Sequence, residues 1–303
     1  MTLNHSLVGS PRLRVAGFGA IALAAALWAI AAIVARSLFD AGVAPFELAM
    51  ARVVVAVLGL GLAGQFRQPV RTWFNGRVLA LGLSLALVTA SYYVAIARLS
   101  VAVAIVIQYT APAMVVVWTA LRLRRPPTSA TIVAVLAALV GVAFVSGMGN
   151  QQIQLDVLGL FAAGLSALFF ASYALLSESL VDRLGAAGVM FRGFLVSSLF
   201  WVAFHMVQGF PIHLFATKTL LGIGFVGIGG TLIPFSLMCW GIQQVSAERG
   251  AIAASLEPVL AALFAWIWLS QSLSLVQLLG GGLVLIAVTL LQFQTATQAN
   301  HER

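Results

Sequence analysis

The chain alternates long apolar runs with short polar punctuation, and the runs have the length of a bilayer crossing. A helix needs roughly 20 apolar residues, with a range of about 17–25, to span the hydrocarbon core. Val15 to Ala35 carries no charge between Arg14 and Arg36, and Val78 to Ala97 none between Arg77 and Arg98. Leu99 to Leu121 is likewise clear between Arg98 and Arg122, and Val157 to Ser177 between Asp156 and Glu178. These runs predict helices near 15–35, 78–97, 100–121 and 157–177. Pro126 and Pro127 open a further one over 128–146, closed by Gly147, Gly149 and Asn150. Another follows Arg192 as far as Val207, before Gly209 and Pro211, and a glycine-rich run over 217–242 holds Pro234. A last helix is expected over 275–293.

Two further spans emerge only if a charge is accepted inside them. Val53 to Phe66 is fourteen residues, too short to cross. Starting at Pro45, a favoured first-turn residue, gives a full span that encloses Arg52. A helix over 249–269 in the same way encloses Glu257. The pattern predicts an all-α integral membrane protein of ten transmembrane helices. The first span follows Arg12 and Arg14 as a signal peptide would, but its 21 residues exceed a signal core, so it is read as a retained helix.

Composition supports lipid as the solvent. Charged residues make up 8% of the chain, against about 25% in soluble proteins, and apolar residues 62%. The net charge of +8 does not indicate nucleic acid, because the basic residues are dispersed between apolar runs and act as topology determinants. With the amino terminus in the cytoplasm, twelve fall inside: Arg12, Arg14, Arg67, Arg71, Arg77, Arg122, Arg124, Arg125, Arg183, Arg192, Arg249 and Arg303. Three fall outside (Arg36, Arg98 and Lys218), with Arg52 set aside as intramembrane. Both termini are therefore expected in the cytoplasm. The single cysteine, Cys239, permits neither an intrachain disulfide nor a cysteine metal cluster, and reads as small apolar filler.

The sequence also resembles itself. At an offset of 146, Pro112 meets Pro258, with Ile96 on Ile242, Ser100 on Ser246, Leu123 on Leu269, Leu139 on Leu285 and Val142 on Val288. An offset of 140 sets Arg52 on Arg192, and one of 141 sets Leu27-Trp28 on Leu168-Phe169. Two five-helix repeats follow, over 15–147 and 157–293, flanked by tails at 1–14 and 294–303. Five is odd, so the second copy enters the membrane from the opposite side, giving the inverted repeats on which many transporters rock around a midplane site.

Three segments carry a family resemblance: the Pro45…Arg52 opening of the second span, Gln108-Tyr109-Thr110-Ala111-Pro112, and Leu256-Glu257-Pro258 followed by Val259-Leu260-Ala261-Ala262. In these and in its layout the chain resembles the drug/metabolite transporter superfamily, specifically its ten-helix EamA-type exporters. The first half departs from the Glu-Pro pattern of the second, with Ala111 at the acidic position. The sequence is similar to the branch that exports amino acids, aromatic ones included. The resemblance implies export across the inner membrane of a bacterial cell, without a cofactor.

The residues themselves suggest where a solute would sit. Pro112 has no N–H for the carbonyl of Gln108, and Pro258 none for that of Ala254. Helices broken in lipid are tolerated where they face protein or a wet cavity. Gln108, Tyr109 and Thr110 precede one proline, and Ser255 and Glu257 the other, which makes them the first candidates for a substrate site. Pro234 is a third candidate break. An acid at a helix centre costs about 2.5–3.5 kcal/mol on insertion scales, so Glu257 should face a cavity, to bind a substrate ammonium or carry a coupling proton. A protonated Glu257 bonded to backbone is the structural alternative. Arg52, about 10 Å down its helix at 1.5 Å per residue, is a candidate gating residue with Glu47 as partner. Its counterpart Arg192, near Glu178 and Asp182, could gate or snorkel to headgroups. Trp28, Tyr92, Tyr93, Tyr173, Trp240 and Gln243 are candidates to line an amphipathic, aromatic cavity, though core packing is the commoner fate of an aromatic.

Gly222-Ile-Gly224-Phe-Val-Gly227 spells a dinucleotide fingerprint but lies in an apolar span with no preceding strand. It reads, like Gly280-Gly281-Gly282, as close helix packing. The fifth and tenth helices, poor in polar side chains, are expected at the periphery. His205 lies deep in the seventh span, and no histidine pair has metal-ligand spacing. The chain lacks a P-loop, a zinc H-E-x-x-H and a nucleophile elbow, so neither ATP use nor an intramembrane enzyme is expected. The reading is a monomeric secondary-active carrier of amino acids or related metabolites, with protons a candidate coupling ion. An uncoupled facilitator, or an importer of another metabolite, is the alternative.

Overall fold

A computed structural model describes residues 11–67, 75–99, 101–124, 126–146, 156–211, 217–269 and 274–301. Among them every regular element is helical. Arg71, Arg125, Arg303, Ser100, Gly147, Gly149, Asn150, His5 and His213 lie outside the described residues, as do the side chains of Arg36, Lys218 and His301.

Helix α1 runs over Pro11–Asp40 and α2 over Pro45–Leu62. Pro45 opens α2 at a position whose missing N–H would have had no partner. Glu47 Oε2 accepts the Ala44 N–H at 2.9 Å, one half of a capping box. α3, Gly76–Arg98, is capped by Asn75, whose Oδ1 accepts from the N–H groups of Arg77 and Val78 at 3.0 Å each. α4 (Val101–Gln108), α5 (Ala111–Leu123) and α6 (Ser129–Val145) follow. α7 covers Val157–Gln208, 52 residues, a helix that would be about 80 Å long if straight. It is not straight: Gly185 sits at φ 67°, ψ 159°, outside the helical region. A side chain is strained at that φ, and glycine is not. Each arm, 157–184 and 186–208, is long enough to cross a bilayer.

α8 (Thr217–Gly227) passes through a π-helical turn, Ile228–Leu232, directly into α9 (Ile233–Val245). Pro234 therefore does not break the helix, contrary to expectation. The widened turn absorbs it: the Ile233 N–H reaches back five residues to the Ile228 carbonyl, and the Thr231 hydroxyl donates to the Val226 carbonyl at 2.8 Å. α10 (Ala247–Ala253), α11 (Leu256–Leu269) and α12 (Leu275–His301) complete the chain.

Six helical segments among the described residues are long and apolar enough to cross a membrane: 12–40, 45–62, 76–95, 104–123, 157–208 and 219–245. The outer surface is apolar where a soluble protein would carry charge. Val117, Trp118, Leu121, Val133, Leu136, Leu221, Leu278 and Leu279 are all exposed. So many large apolar side chains left exposed fit a lipid-facing surface. Several boundaries exceed the apolar runs: α1 includes Arg12 and Arg14, the first arm of α7 continues past Glu178 to Leu184, and α12 passes residue 293. Charge at a helix end is solvated, as at the exposed Asp182 and Arg183, and does not stop the helix.

α3 lies along α7 and α1 along α9, while α6 and α12 pack on each other at one side. The α6–α12 contact depends on two glycines. A Cβ at Gly141 would stand 2.7 Å from the Gly280 carbonyl oxygen, and one at Gly280 2.7 Å from that of Gly141. Gly222 against Leu38 and Gly227 against Val55 are close approaches of the same kind, whereas Gly224 and Gly282 face open space.

Candidate functional site

The site is built where two broken helices meet. α4 stops at Gln108 and α5 restarts at Ala111, ahead of Pro112. The hydroxyl and N–H of Thr110 both turn back onto the Ile107 carbonyl, at 2.7 and 3.0 Å. α10 stops at Ala253 and α11 restarts at Leu256, ahead of Pro258, with Ala254 and Ser255 between. Tyr109 joins the two breaks. Its hydroxyl oxygen lies 2.8 Å from Glu257 Oε2 and 3.3 Å from the carbonyl oxygen of Ala254. That carbonyl is the one Pro258 cannot serve, and it also accepts the Glu257 N–H at 3.0 Å. Beside it, Gln108 Nε2 donates to Ser166 Oγ at 2.7 Å, a second tie between the two halves of the sequence.

A cavity of about 360 Å³ opens at this junction. Trp28, Tyr92, Tyr93, Phe170, Tyr173 and Phe235 supply aromatic wall, and Arg52, Thr89, Gln108, Tyr109 and Glu257 supply polar groups. The size and the mostly apolar lining suit a small molecule held by a few fixed polar contacts. Phe235 anchors the wall edge-on, its ring 5.0 Å from that of Trp28 and 5.5 Å from that of Tyr173. Gly230 of the π turn lets the backbone approach α1, since a Cβ there would stand 2.5 Å from that of Ala31.

Of the positions singled out from the sequence, Trp28, Arg52, Tyr92, Tyr93, Gln108, Tyr109, Pro112, Tyr173 and Glu257 line the cavity. Thr110, Ser255, Trp240, Gln243, Glu47, Arg192, Pro234 and Pro258 do not. Ser255 is buried within its own break. Gln243 donates to Asp182 Oδ1 at 3.3 Å, at the far end of α9. The expected Glu47–Arg52 ion pair is not made. Five positions apart on a helix the two point to different sides, and Arg52 Nη2 donates instead to Thr89 Oγ1 at 3.3 Å. Arg192 does not snorkel: it is 3% exposed, and its Nη1 donates to the Gly188 carbonyl at 2.9 Å.

Phe39, Thr89 and Phe235 are lining residues the sequence reading passed over. Two had a signal. Thr89, Tyr92 and Tyr93 share one helical face at spacings of three and four, as do Trp28, Ala31, Ala32, Ala35 and Phe39. Phe235 had none, because the π turn before it shifts the register.

The sites at the chain's other polar positions are of another kind. Glu178 Oε1 accepts the Ala247 N–H at 2.9 Å, tying the end of the first α7 arm to the start of α10. His205 Nε2 lies 3.2 Å from the Phe46 carbonyl oxygen, and Cys239 is buried. No group of three or more His, Cys, Asp or Glu among the described residues has a geometry for a metal ion.

Comparison with known proteins agrees with the helical architecture. Residues 15–147 and, separately, 157–293 match the sequence profile of the EamA-like transporter family. The inner membrane transporter YicL of Salmonella typhimurium, itself uncharacterised, is 26% identical over 69% of this chain and 70% of its own length. The threonine/homoserine exporter RhtA of Escherichia coli K12 is 26% identical over 69% of this chain and 68% of its own. A solved crystal structure superposes with a TM-score of 0.76 over 93% of this chain and 96% of that one, at 20% identity, a likeness of fold. Matched by the profile over two stretches that together take in most of its length, the chain belongs to the EamA-like transporter family.

Proposed function

We propose that the protein is a secondary-active exporter of amino acids, aromatic and other neutral ones, or of related small metabolites, working by alternating access in a bacterial inner membrane. The observation that carries this reading is the contact of the two broken helices, through Tyr109 and Glu257, at one aromatic-walled cavity. A binding site made jointly by two halves can be exposed to either side as the halves rock.

Ten crossings underlie the mechanism: α1, α2, α3, α4 with α5, α6, the two arms of α7, α8 with α9, α10 with α11, and α12. Five fall in each stretch that matches the family, which favours inverted repeats. The distribution of arginines favours cytoplasmic termini. In that orientation the cavity draws on the outer parts of α1, α3 and α8. The ends facing the cytoplasm are tied by Glu178 to the Ala247 N–H and by Asp182 to Gln243. The arrangement is that of an outward-facing carrier. The name of RhtA supports amino acids as cargo, and the aromatic wall supports cargo with an apolar side chain.

Glu257 is the group we assign to a coupling proton. When ionised, it accepts the Tyr109 hydroxyl proton. When protonated, it donates to the phenol oxygen, and the phenol turns its proton to the Ala254 carbonyl 3.3 Å away. Both protonation states are thus hydrogen-bonded without rearranging the helices. The carrier acts as a monomer, with lipid as its surroundings and no cofactor.

Counterflow tests the reading. Proteoliposomes loaded with unlabelled L-phenylalanine or L-threonine should accumulate the labelled amino acid transiently and saturably. Ohmic conductance, or no flux with any amino acid of a full panel, would overturn it.

A further inference from the structure

The cavity is lined by one cation and one carboxylate, Arg52 and Glu257, and by no Asp, Lys or His. Among the described residues neither is paired with an opposite charge. Arg52 gives Nη2 to the Thr89 hydroxyl at 3.3 Å, and its guanidinium carbon lies 5.9 Å from the centre of the Phe235 ring. Its Nε is enclosed and has no hydrogen-bond partner. Glu257 receives only the Tyr109 hydroxyl. An arginine presents five N–H donors in a planar fork that fits a carboxylate through two parallel bonds. A single hydroxyl and a ring face leave most of that capacity unused.

Both side chains are half-buried at the cavity wall, and a ligand that fills the cavity takes water from each charge, which is costly unless the charge is compensated. The ordinary remedy, a direct ion pair between the two, is not made here although both face one cavity. With Glu257 ionised the two charges sum to zero, so a ligand that compensates both must carry a carboxylate and an ammonium together. An amine alone would leave Arg52 uncompensated, and a carboxylic acid alone would leave the ionised Glu257 so.

We infer that Arg52 and Glu257 select an α-amino acid as a zwitterion, Arg52 binding the carboxylate and Glu257 the ammonium, with the side chain lying against Trp28, Tyr173 and Phe235. Arg52 is then a specificity-determining residue. This rests on the amino-acid reading above and states how the site recognises that class.

The test uses the purified full-length protein and three labelled probes in scintillation-proximity binding: L-phenylalanine, phenethylamine, which lacks the carboxylate, and 3-phenylpropionate, which lacks the ammonium. The wild type should favour L-phenylalanine at least tenfold over either truncated probe. Arg52→Gln should bind phenethylamine at least as tightly as the wild type does and lose the tenfold preference for L-phenylalanine over it. Glu257→Gln should do the converse with 3-phenylpropionate. Arg52→Lys, with the charge but not the fork, should restore part of the preference. If Arg52→Gln loses phenethylamine together with L-phenylalanine, or keeps the full preference, the inference is overturned. Wild-type protein that binds and counterflows neither L-phenylalanine nor L-threonine would instead sink the amino-acid reading itself, an outcome that the counterflow assay separates from the other two.

Discussion

Replacing Tyr109 by Phe isolates the contact between the two broken helices. Tyr109 is 9% exposed, and Tyr109→Phe keeps the ring while removing the hydroxyl's two polar contacts, at 2.8 Å to Glu257 and 3.3 Å to the Ala254 carbonyl. A hydrogen bond to a charged group is worth about 1.5–3 kcal/mol in soluble proteins, and one to a neutral group about 0.5–1.5 kcal/mol. Double-mutant cycles within a membrane average about 0.6 kcal/mol, with a maximum near 1.7. The Ala254 carbonyl keeps the Glu257 N–H at 3.0 Å, so the lost contact to Glu257 dominates. Tyr109→Phe should therefore cost about 1.5 kcal/mol if Glu257 is ionised, toward the upper end of the membrane range. In a Glu257→Gln background the same substitution should cost about 0.5–1 kcal/mol, because a neutral amide oxygen is the acceptor. Reversible unfolding in mixed micelles, run on the wild type, both single variants and the double variant, measures the difference. Equal costs in the two backgrounds would refute the reasoning, since the phenol would then not be serving a carboxylate.

Gly141→Ala and Gly280→Ala should each destabilise the protein by about 1–3 kcal/mol in the same assay, the usual cost of overpacking, because each new Cβ would meet the other helix's backbone at 2.7 Å. Neither should change the ranking of amino acids in a competition panel, and a change in ranking would argue that α6 and α12 shape the cavity. Cys239, buried and 0% exposed, should resist a membrane-permeant maleimide in the folded protein and react after denaturation. Rapid labelling of the folded protein would contradict its burial in the core.

Much of the helical layout was legible because lipid imposes a length and forbids free charge, and both leave marks in the sequence. Pro112 and Pro258 marked the two interruptions because a residue without an N–H removes a specific bond. The residues beside them, Gln108, Tyr109 and Glu257, could be nominated from that alone. What escaped was geometry that charge and proline do not encode. Glu178 and Arg192 were read as boundaries, yet the helix runs through them, and Gly185 is where it turns. Pro234 looked like the other two prolines, but a single wide turn accommodates it and rotates Phe235 onto the cavity. Trp240 and Gln243 were nominated by residue type in a span that does reach the cavity, but they lie beyond its floor, about one and a half and two turns past Phe235 along α9 and toward the Asp182 end.

The inequality between the two halves finds a physical reason at the same place. An offset of 146 sets Ala111 opposite Glu257, so the first repeat lacks the acid that the second carries. Ala111 is fully buried and still lines the cavity. A second carboxylate there would bring two like charges to one enclosed space, and one of them would have to remain protonated. The first repeat contributes instead the donors Tyr109 and Gln108, and the second contributes acceptors: the Glu257 carboxylate, the Ala254 carbonyl and, through Ser166, a hydroxyl oxygen. The two breaks therefore complement each other in chemistry. Two identical breaks could not form this contact with themselves. It is the difference between the two halves, Ala111 in one and Glu257 in the other, that lets one contact span their junction.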